Sequence, residues 1–217
     1  MTDVAGLGGG YADSKPDAAP TVSAVLDAAC PGAKGARLVV IAGPPGVGKS
    51  LLARGLCEHL PHSTCVDKDW TAGGFILAAA RQADAPPDQA YGRQDYWQCL
   101  RPLEYAGATK AACANLIGRR VVLLVGGWGP ELSVDELWSG LSQQIAPAQL
   151  IVLHLNAPPT EIWRQRMAGR GSRSEDPWFG QFALAVTSHP VWPGAHLLAS
   201  AGSSHTVLQN ALHILSE

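Results

Sequence analysis

Short apolar, largely β-branched runs alternate along the chain with segments of helical period. Arg37–Ala42, Ser63–Val66, Arg120–Val125, Leu150–Leu155 and Ala195–Leu198 read as strands. Between them lie Val22–Ala29, a short helix ended by Pro31-Gly32, and a helix whose Leu51, Leu52, Leu56 and Leu60 share one stripe before Pro61 stops it. Phe75–Gln82 reads as a helix, and Ala83–Gln94, with Pro86-Pro87 and Gly92, as a loop. Asp95–Ile117 predicts a long helix with Tyr96, Leu100, Leu103, Ala111, Ala114 and Leu116 as its apolar positions, kinked or split at Pro102. Ser133 with Glu136 forms a capping box for a helix reaching Ile145. Pro159-Thr160 opens a helix through Met167, Trp178–Ser188 forms another, and Ser204 caps a last one over His205–Leu215. Strand–helix alternation of this kind predicts an α/β sandwich around a mainly parallel sheet. Residues 1–20, rich in Gly, Ala, Asp, Pro and Ser, read as a disordered tail. Residues 21–217 then form one domain, the expectation for a chain of 217 residues.

The join between the first strand and its helix is Gly43-Pro44-Pro45-Gly46-Val47-Gly48-Lys49-Ser50. It satisfies the P-loop pattern G-x-x-x-x-G-K-[ST] at every fixed position and lies in the strand–loop–helix context that pattern requires. Glycines let backbone N–H groups converge on an anion, and the helix N-terminus adds its partial positive charge. The loop therefore binds nucleoside triphosphate phosphates through Gly43 to Leu51, with Lys49 reaching the β- and γ-phosphates and the Ser50 hydroxyl ligating Mg²⁺.

Composition narrows what surrounds that loop. Hydrophobic content is 47% and charged content 16%, the balance of a globular protein. A net charge of −2 gives no general attraction to nucleic acid or anionic membrane, so a nucleic-acid partner is not expected. No apolar run has the length of a membrane span, and no basic-then-apolar segment opens the sequence. Five scattered cysteines without C-x-x-C spacing read as free thiols, which points to the cytoplasm. A signalling GTPase needs N-K-x-D, which is absent. A transporter ATPase needs L-S-G-G-Q, and Leu141-Ser142-Gln143-Gln144 lacks its glycines. The strand at 120–125 is followed by Gly126-Gly127 rather than an acidic residue, which weakens a motor-ATPase reading and leaves the second Mg²⁺ ligand open.

Two further features carry chemistry. Asp67 and Asp69 follow the second strand, two residues apart, so in extended chain both project to the same side. Carboxylates at the carboxyl end of a parallel strand line the ligand crevice, where one can accept a substrate hydroxyl proton as the γ-phosphoryl departs and the other can hold Mg²⁺ through water. Which of the two is the base stays open on spacing alone. The second feature is Arg164, Arg166, Arg170 and Arg173, four arginines within ten residues on a Gly/Ser-rich stretch. Arg166, Arg170 and Arg173 read as a lid over about 166–177 that neutralises charge during transfer. Their competing role is an exposed basic helix end. The segment from about 70 to 117, with Trp128 after the third strand, supplies acceptor-pocket candidates: Trp70, Tyr96 and Trp128 by stacking, and Arg93, Arg101 and Glu104 by charge, beside Phe75, Tyr91, Trp97 and Tyr105. For any single aromatic, packing in the core competes with that role.

Taken together these residues resemble the P-loop small-molecule kinases, the group that includes polynucleotide 5′-kinase, zeta toxin, chloramphenicol phosphotransferase, gluconate kinase and seryl-tRNA kinase. The resemblance spans Leu38 to about Leu198. It rests on Gly43–Ser50, on Asp67 and Asp69, on Arg101-Pro102-Leu103-Glu104-Tyr105, and on the arginine segment from Pro158 to Asp176. It implies a five-stranded parallel sheet of order 2-3-1-4-5. It also implies an ATP- and Mg²⁺-dependent phosphotransferase acting on a hydroxyl of a metabolite or antibiotic, with Asp69, 20 residues after Lys49, as the better match to the family's base. The alternatives are a nucleotide-binding regulatory or resistance module with slow hydrolysis, and a polynucleotide 5′-kinase. The acceptor, the choice of ATP or GTP, and whether the chain is a monomer or a dimer are not legible in the residues.

Overall fold

The structure is a computed structural model that describes residues 17–86, 90–91, 93–172 and 174–216. Five parallel strands form one sheet in the order β2-β3-β1-β4-β5: β1 (Arg37–Ala42), β2 (Ser63–Asp67), β3 (Val121–Val125), β4 (Gln149–Asn156) and β5 (His196–Ala199). This is the expected order. β1 is central, paired with β3 through Arg37 opposite Val121 and with β4 through Arg37 opposite Gln149.

Alternation along β1 divides the core between the two faces of the sheet. Leu38, Val40 and Ala42 meet α1 (Ala19–Ala28), α4 (Arg101–Ala114), α5 (Asp135–Gln144), α6 (Thr160–Gly169) and α7 (Trp178–Ser188). Val39 and Ile41 point the other way, toward α2 (Lys49–His59) and α8 (Ser204–Ser216). Both faces being covered explains why the strands read as continuous apolar runs. Among the described residues no helix is long and apolar enough to cross a membrane.

Several element boundaries differ from expectation. The first helix starts at Ala19 with Pro20 in its first turn, where Pro is tolerated because no N–H is needed. The tail expectation for residues 1–16 lies outside the described residues. α3 (Lys68–Gln82) begins seven residues before Phe75, because Asp67 caps it by accepting the Asp69 N–H at 3.0 Å. The predicted helix at 95–117 is a π-helical turn, Tyr96–Leu100, running into α4, and Pro102 sits in the first turn of α4. Ser133 does not cap α5. It ends a 3₁₀ turn, Pro130–Ser133, and Val134 stands at the N-cap position without a side-chain bond. The cap of α8 is Ser203, whose Oγ accepts the Thr206 N–H at 3.1 Å, one residue before the expected Ser204.

Candidate active site

The carboxyl ends of β1, β2 and β3 open into a cavity of about 290 Å³. One side of it is the loop between β1 and α2. Gly43, Gly46 and Gly48 have φ of +138°, +79° and +101°, conformations that favour glycine. At Gly43 a Cβ would also lie 2.6 Å from the Leu155 carbonyl oxygen, which is backbone and cannot give way. Gly48 is the N-cap of α2 and offers no side-chain acceptor, so the first N–H groups of that helix face the cavity without a capping side chain. Trp163 of α6 fixes the loop from behind, its Nε1 donating to the Pro45 carbonyl at 2.8 Å.

Lys49 turns its Nζ onto the Gly43 and Pro44 carbonyls, both at 2.8 Å. Burial pushes its ammonium down to about 8, assisted by Lys68 and Arg170 and opposed by Asp69 and Asp67. The Ser50 Oγ donates to Asp67 Oδ2 at 3.3 Å. Asp67 is 5% exposed. Its burial raises the carboxyl's pKa and the Asp69 charge adds to the rise, while the Asp69 N–H, Lys68 and Ser50 pull it partly back. Asp69 is in the first turn of α3, not on extended chain, yet the helix start still brings both carboxylates to the cavity. Asp69 keeps a side chain 56% exposed; partial loss of water in the cavity works to raise its carboxyl, but Lys68, hydrogen-bonded at 2.6 Å, together with Lys49 and Arg170, holds it below the ordinary carboxylate range. The environments thus separate two neighbouring carboxylates, the pattern that marks distinct roles.

Behind Asp69 lies a polar network with no counterpart in the sequence reading. Lys68, 6% exposed, bonds Glu104 Oε1 at 3.1 Å as well as Asp69, and Tyr96 Oη donates to Glu104 Oε2 at 2.8 Å. Burial alone would strip the Lys68 proton, but Glu104, the neighbouring tyrosines and Asp69 hold it charged. Arg101 pairs in two-pronged fashion with Glu131, Nε to Oε1 at 3.1 Å and Nη2 to Oε2 at 2.6 Å. Its guanidinium lies 4.7 Å from the Trp97 ring centre and 4.3 Å from that of Tyr105. Lys68 and Glu131 carried a weak sequence signal at best: a lysine between two aspartates, and an acid beyond the third strand by a distance no motif specifies.

The candidates named from sequence divide accordingly. Pro44, Pro45, Gly46, Gly48, Lys49, Ser50, Leu51, Asp67, Asp69, Tyr96, Arg101 and Arg170 line the cavity, joined by Trp97, Tyr105, Gly126 and Gly127. Val47 is buried beneath the loop, and Glu104 sits one layer back, holding Lys68. Trp70 is 74% exposed on α3 and does not line the cavity. Arg93 pairs with Asp95 at 2.8 Å beside a separate surface pocket. Trp128 is buried between Tyr105 and Trp138. Arg166 lies at a second cavity on the other side of the P-loop, donating to the Ser200 carbonyl at 3.0 Å beside Gly202 and Ser204. Arg173 lies outside the described residues. Gly126 has a steric reason: a Cβ there would come within 2.9 Å of the Trp128 Nε1 and 3.3 Å of the Tyr105 ring.

No protein-family model matches the sequence, and no curated protein matches it. Solved structures do match in fold. A candidate kinase from Chloroflexus aurantiacus is 16% identical over 85% of this chain and 98% of its own, with a TM-score of 0.55. Shikimate kinase from Bacteroides thetaiotaomicron is 14% identical over 84% of this chain and 99% of its own, with a TM-score of 0.54. At these identities the likeness establishes the fold: this chain is an α/β protein with the five-stranded parallel sheet, in the order 2-3-1-4-5, that is found in P-loop kinases.

Proposed function

We propose that this protein is a P-loop kinase that transfers the γ-phosphoryl group of ATP to a hydroxyl of a small molecule. The observation that carries the reading is the single cavity shared by the P-loop, with Lys49 and Ser50, and the differently tuned pair Asp67 and Asp69. The open N-terminus of α2 and the loop amides suit the phosphates. A triphosphate would draw the Lys49 donors away from the Gly43 and Pro44 carbonyls. Arg166, Ser200 and Gly202 at the second cavity are placed to receive the nucleoside end rather than the γ-phosphate.

Ser50 and Asp67 present hard oxygen atoms within 3.3 Å of one another, a donor set that fits Mg²⁺ with water completing its shell. When bound at Ser50 and Asp67, that ion would supply positive charge to offset that of the phosphates. Asp69 takes the proton of the acceptor hydroxyl as the new O–P bond forms and the bond to the β-phosphate oxygen breaks. Arg170 meets the charge of the transferring group, and Arg173 is assigned the same role from the sequence. Incubating the protein with γ-¹⁸O-labelled ATP, Mg²⁺ and hydroxylated compounds, with mass spectrometry of the products, tests the reading. Labelled phosphate esterified to an acceptor supports it. Label found solely in inorganic phosphate favours the regulatory alternative.

A further inference from the structure

Two cysteines that stand far apart in sequence meet where the chain passes from α1 to β1. The segment after α1 runs along the end of α4. Cys30 lies two residues beyond α1, and Cys113 is in the last turn of α4. Three residues on from each, the Ala33 N–H donates to the Leu116 carbonyl at 2.7 Å. Gly32 is pressed so closely on the same place that a Cβ there would stand 2.7 Å from the Leu116 Cβ. Cys30 packs on the core cluster that contains Cys113, and the Cys113 thiol faces both the N–H and the thiol of Cys30. We propose that Cys30 and Cys113 are an oxidant-reactive dithiol, which a peroxide closes into a disulfide that fastens the chain entering β1 to the end of α4. This stands independently of the kinase reading.

The two thiols have unequal parts. Cys113 is 3% exposed, and burial raises its thiol above the usual range, which makes it a poor first target for an oxidant. Cys30 is half-buried, so a small oxidant reaches it first. Its sulfur, having released its proton, attacks one oxygen of hydrogen peroxide. The O–O bond breaks, and the departing hydroxide takes up a proton to leave as water. The Cys113 sulfur then attacks the Cys30 sulfenic sulfur, and its proton leaves with the hydroxyl as a second water. Two thiols are oxidised to one disulfide while one peroxide is reduced to two waters. The ring closed in this way contains β1, the P-loop, β2, α3 and most of α4, with Lys49, Asp67, Asp69 and Arg101 inside it. A ring of that length takes much freedom from the unfolded chain. Cys57 and Cys65 are neighbours on the opposite face of the sheet and serve as an internal comparison. Burial pushes the Cys65 thiol up to about 12.

The test treats the reduced full-length protein with hydrogen peroxide, without denaturant. Remaining thiols are blocked with N-ethylmaleimide, and the protein is digested without reductant for peptide mass spectrometry. A peptide pair joined through Cys30 and Cys113, two hydrogens lighter than the sum of its parts, is expected as the main disulfide product. The melting temperature of the treated protein should rise by roughly 5 °C or more and return to its starting value with dithiothreitol. Cys30→Ser, a change at the half-buried member of the pair, should remove both the joined peptides and the rise. Sulfinic acid at Cys30 beside a blocked Cys113 thiol, a predominant Cys57–Cys65 product, or five blocked thiols would each overturn the proposal. A Cys30–Cys113 bond that leaves the melting temperature unchanged or lowers it would show that the native chain must distort to form it, which overturns the proposal as well.

Discussion

The surroundings lower the pKa of both Lys49 and Asp69, which disfavours the lysine's charge and favours the aspartate's, and each shift has a measurable consequence. Lys49 is held down to about 8, so above that pH it is increasingly neutral until a triphosphate arrives. An anion beside the ammonium favours the charged form. Nucleotide binding above pH 8 is therefore expected to take up a fraction of a proton, and below pH 7 almost none. Calorimetric titration in buffers of different ionisation enthalpy measures this. Equal uptake at both values would remove Lys49 from the phosphate site. Asp69 acts when ionised and is held below the ordinary range, so its acid limb in kcat should fall below pH ~4. A limb above the ordinary carboxylate range would implicate Asp67, whose carboxyl is raised by burial. At this scale the P-loop was legible because its fixed spacing dictates its conformation, whereas Asp67 and Asp69 reach the cavity through the start of α3 rather than through the extended chain that their spacing suggested. Trp70, Arg93 and Trp128 were not legible, because a side chain's direction depends on where its element begins and on what packs beside it. The onset of α3 at Lys68 turns Trp70 outward, and Tyr105 with Trp138 encloses Trp128.

The P-loop's position depends on elements far away in sequence. α6 braces it through Trp163 Nε1 and the Pro45 carbonyl, and Met167 of the same helix lies against Gly46. Trp163→Phe retains most of the packing but leaves that carbonyl without its donor, a loss of roughly 1 kcal/mol for one hydrogen bond. Nucleotide Kd should rise about fivefold by fluorescence or calorimetry, and an unchanged Kd would show that the brace does not shape the loop. Arg170 follows the same helix and lines the cavity. Arg170→Ala should reduce kcat at least tenfold more than it weakens ATP binding, because the charge it meets grows in the transition state. Equal losses would make it a ground-state contact. The strands were readable from their β-branched runs. The π-helical turn before α4 and the early start of α3 were not, since each is decided by one cap or one tertiary contact rather than by periodicity.

Across the molecule, the site rests on pairs buried where the sheet ends meet α4. Glu131→Ala would leave Arg101 charged and unpaired in a protein-filled environment, and removing one member of a buried pair costs about 3–5 kcal/mol. Urea unfolding should show that loss. A change under 1 kcal/mol would mean that water reaches Arg101 easily. The sheet order came from the family resemblance and not from the strands themselves, because apolar runs state that strands exist but not which ones pair. The Lys68–Glu104 and Arg101–Glu131 pairs were beyond sequence reading for a related reason. They join residues 36 and 30 positions apart, through contacts that exist only once α3, α4 and the 3₁₀ turn have docked.

On the proposed reading, the P-loop and Asp69 serve one transfer reaction with separable parts. The most direct measurement sets ATP affinity beside phosphoryl transfer in Asp69→Asn, using an acceptor that the wild-type protein phosphorylates. ATP binding is expected within about threefold of wild type and transfer reduced by roughly 10²- to 10⁴-fold, the usual contribution of a positioned base. Full transfer activity in Asp69→Asn would contradict it.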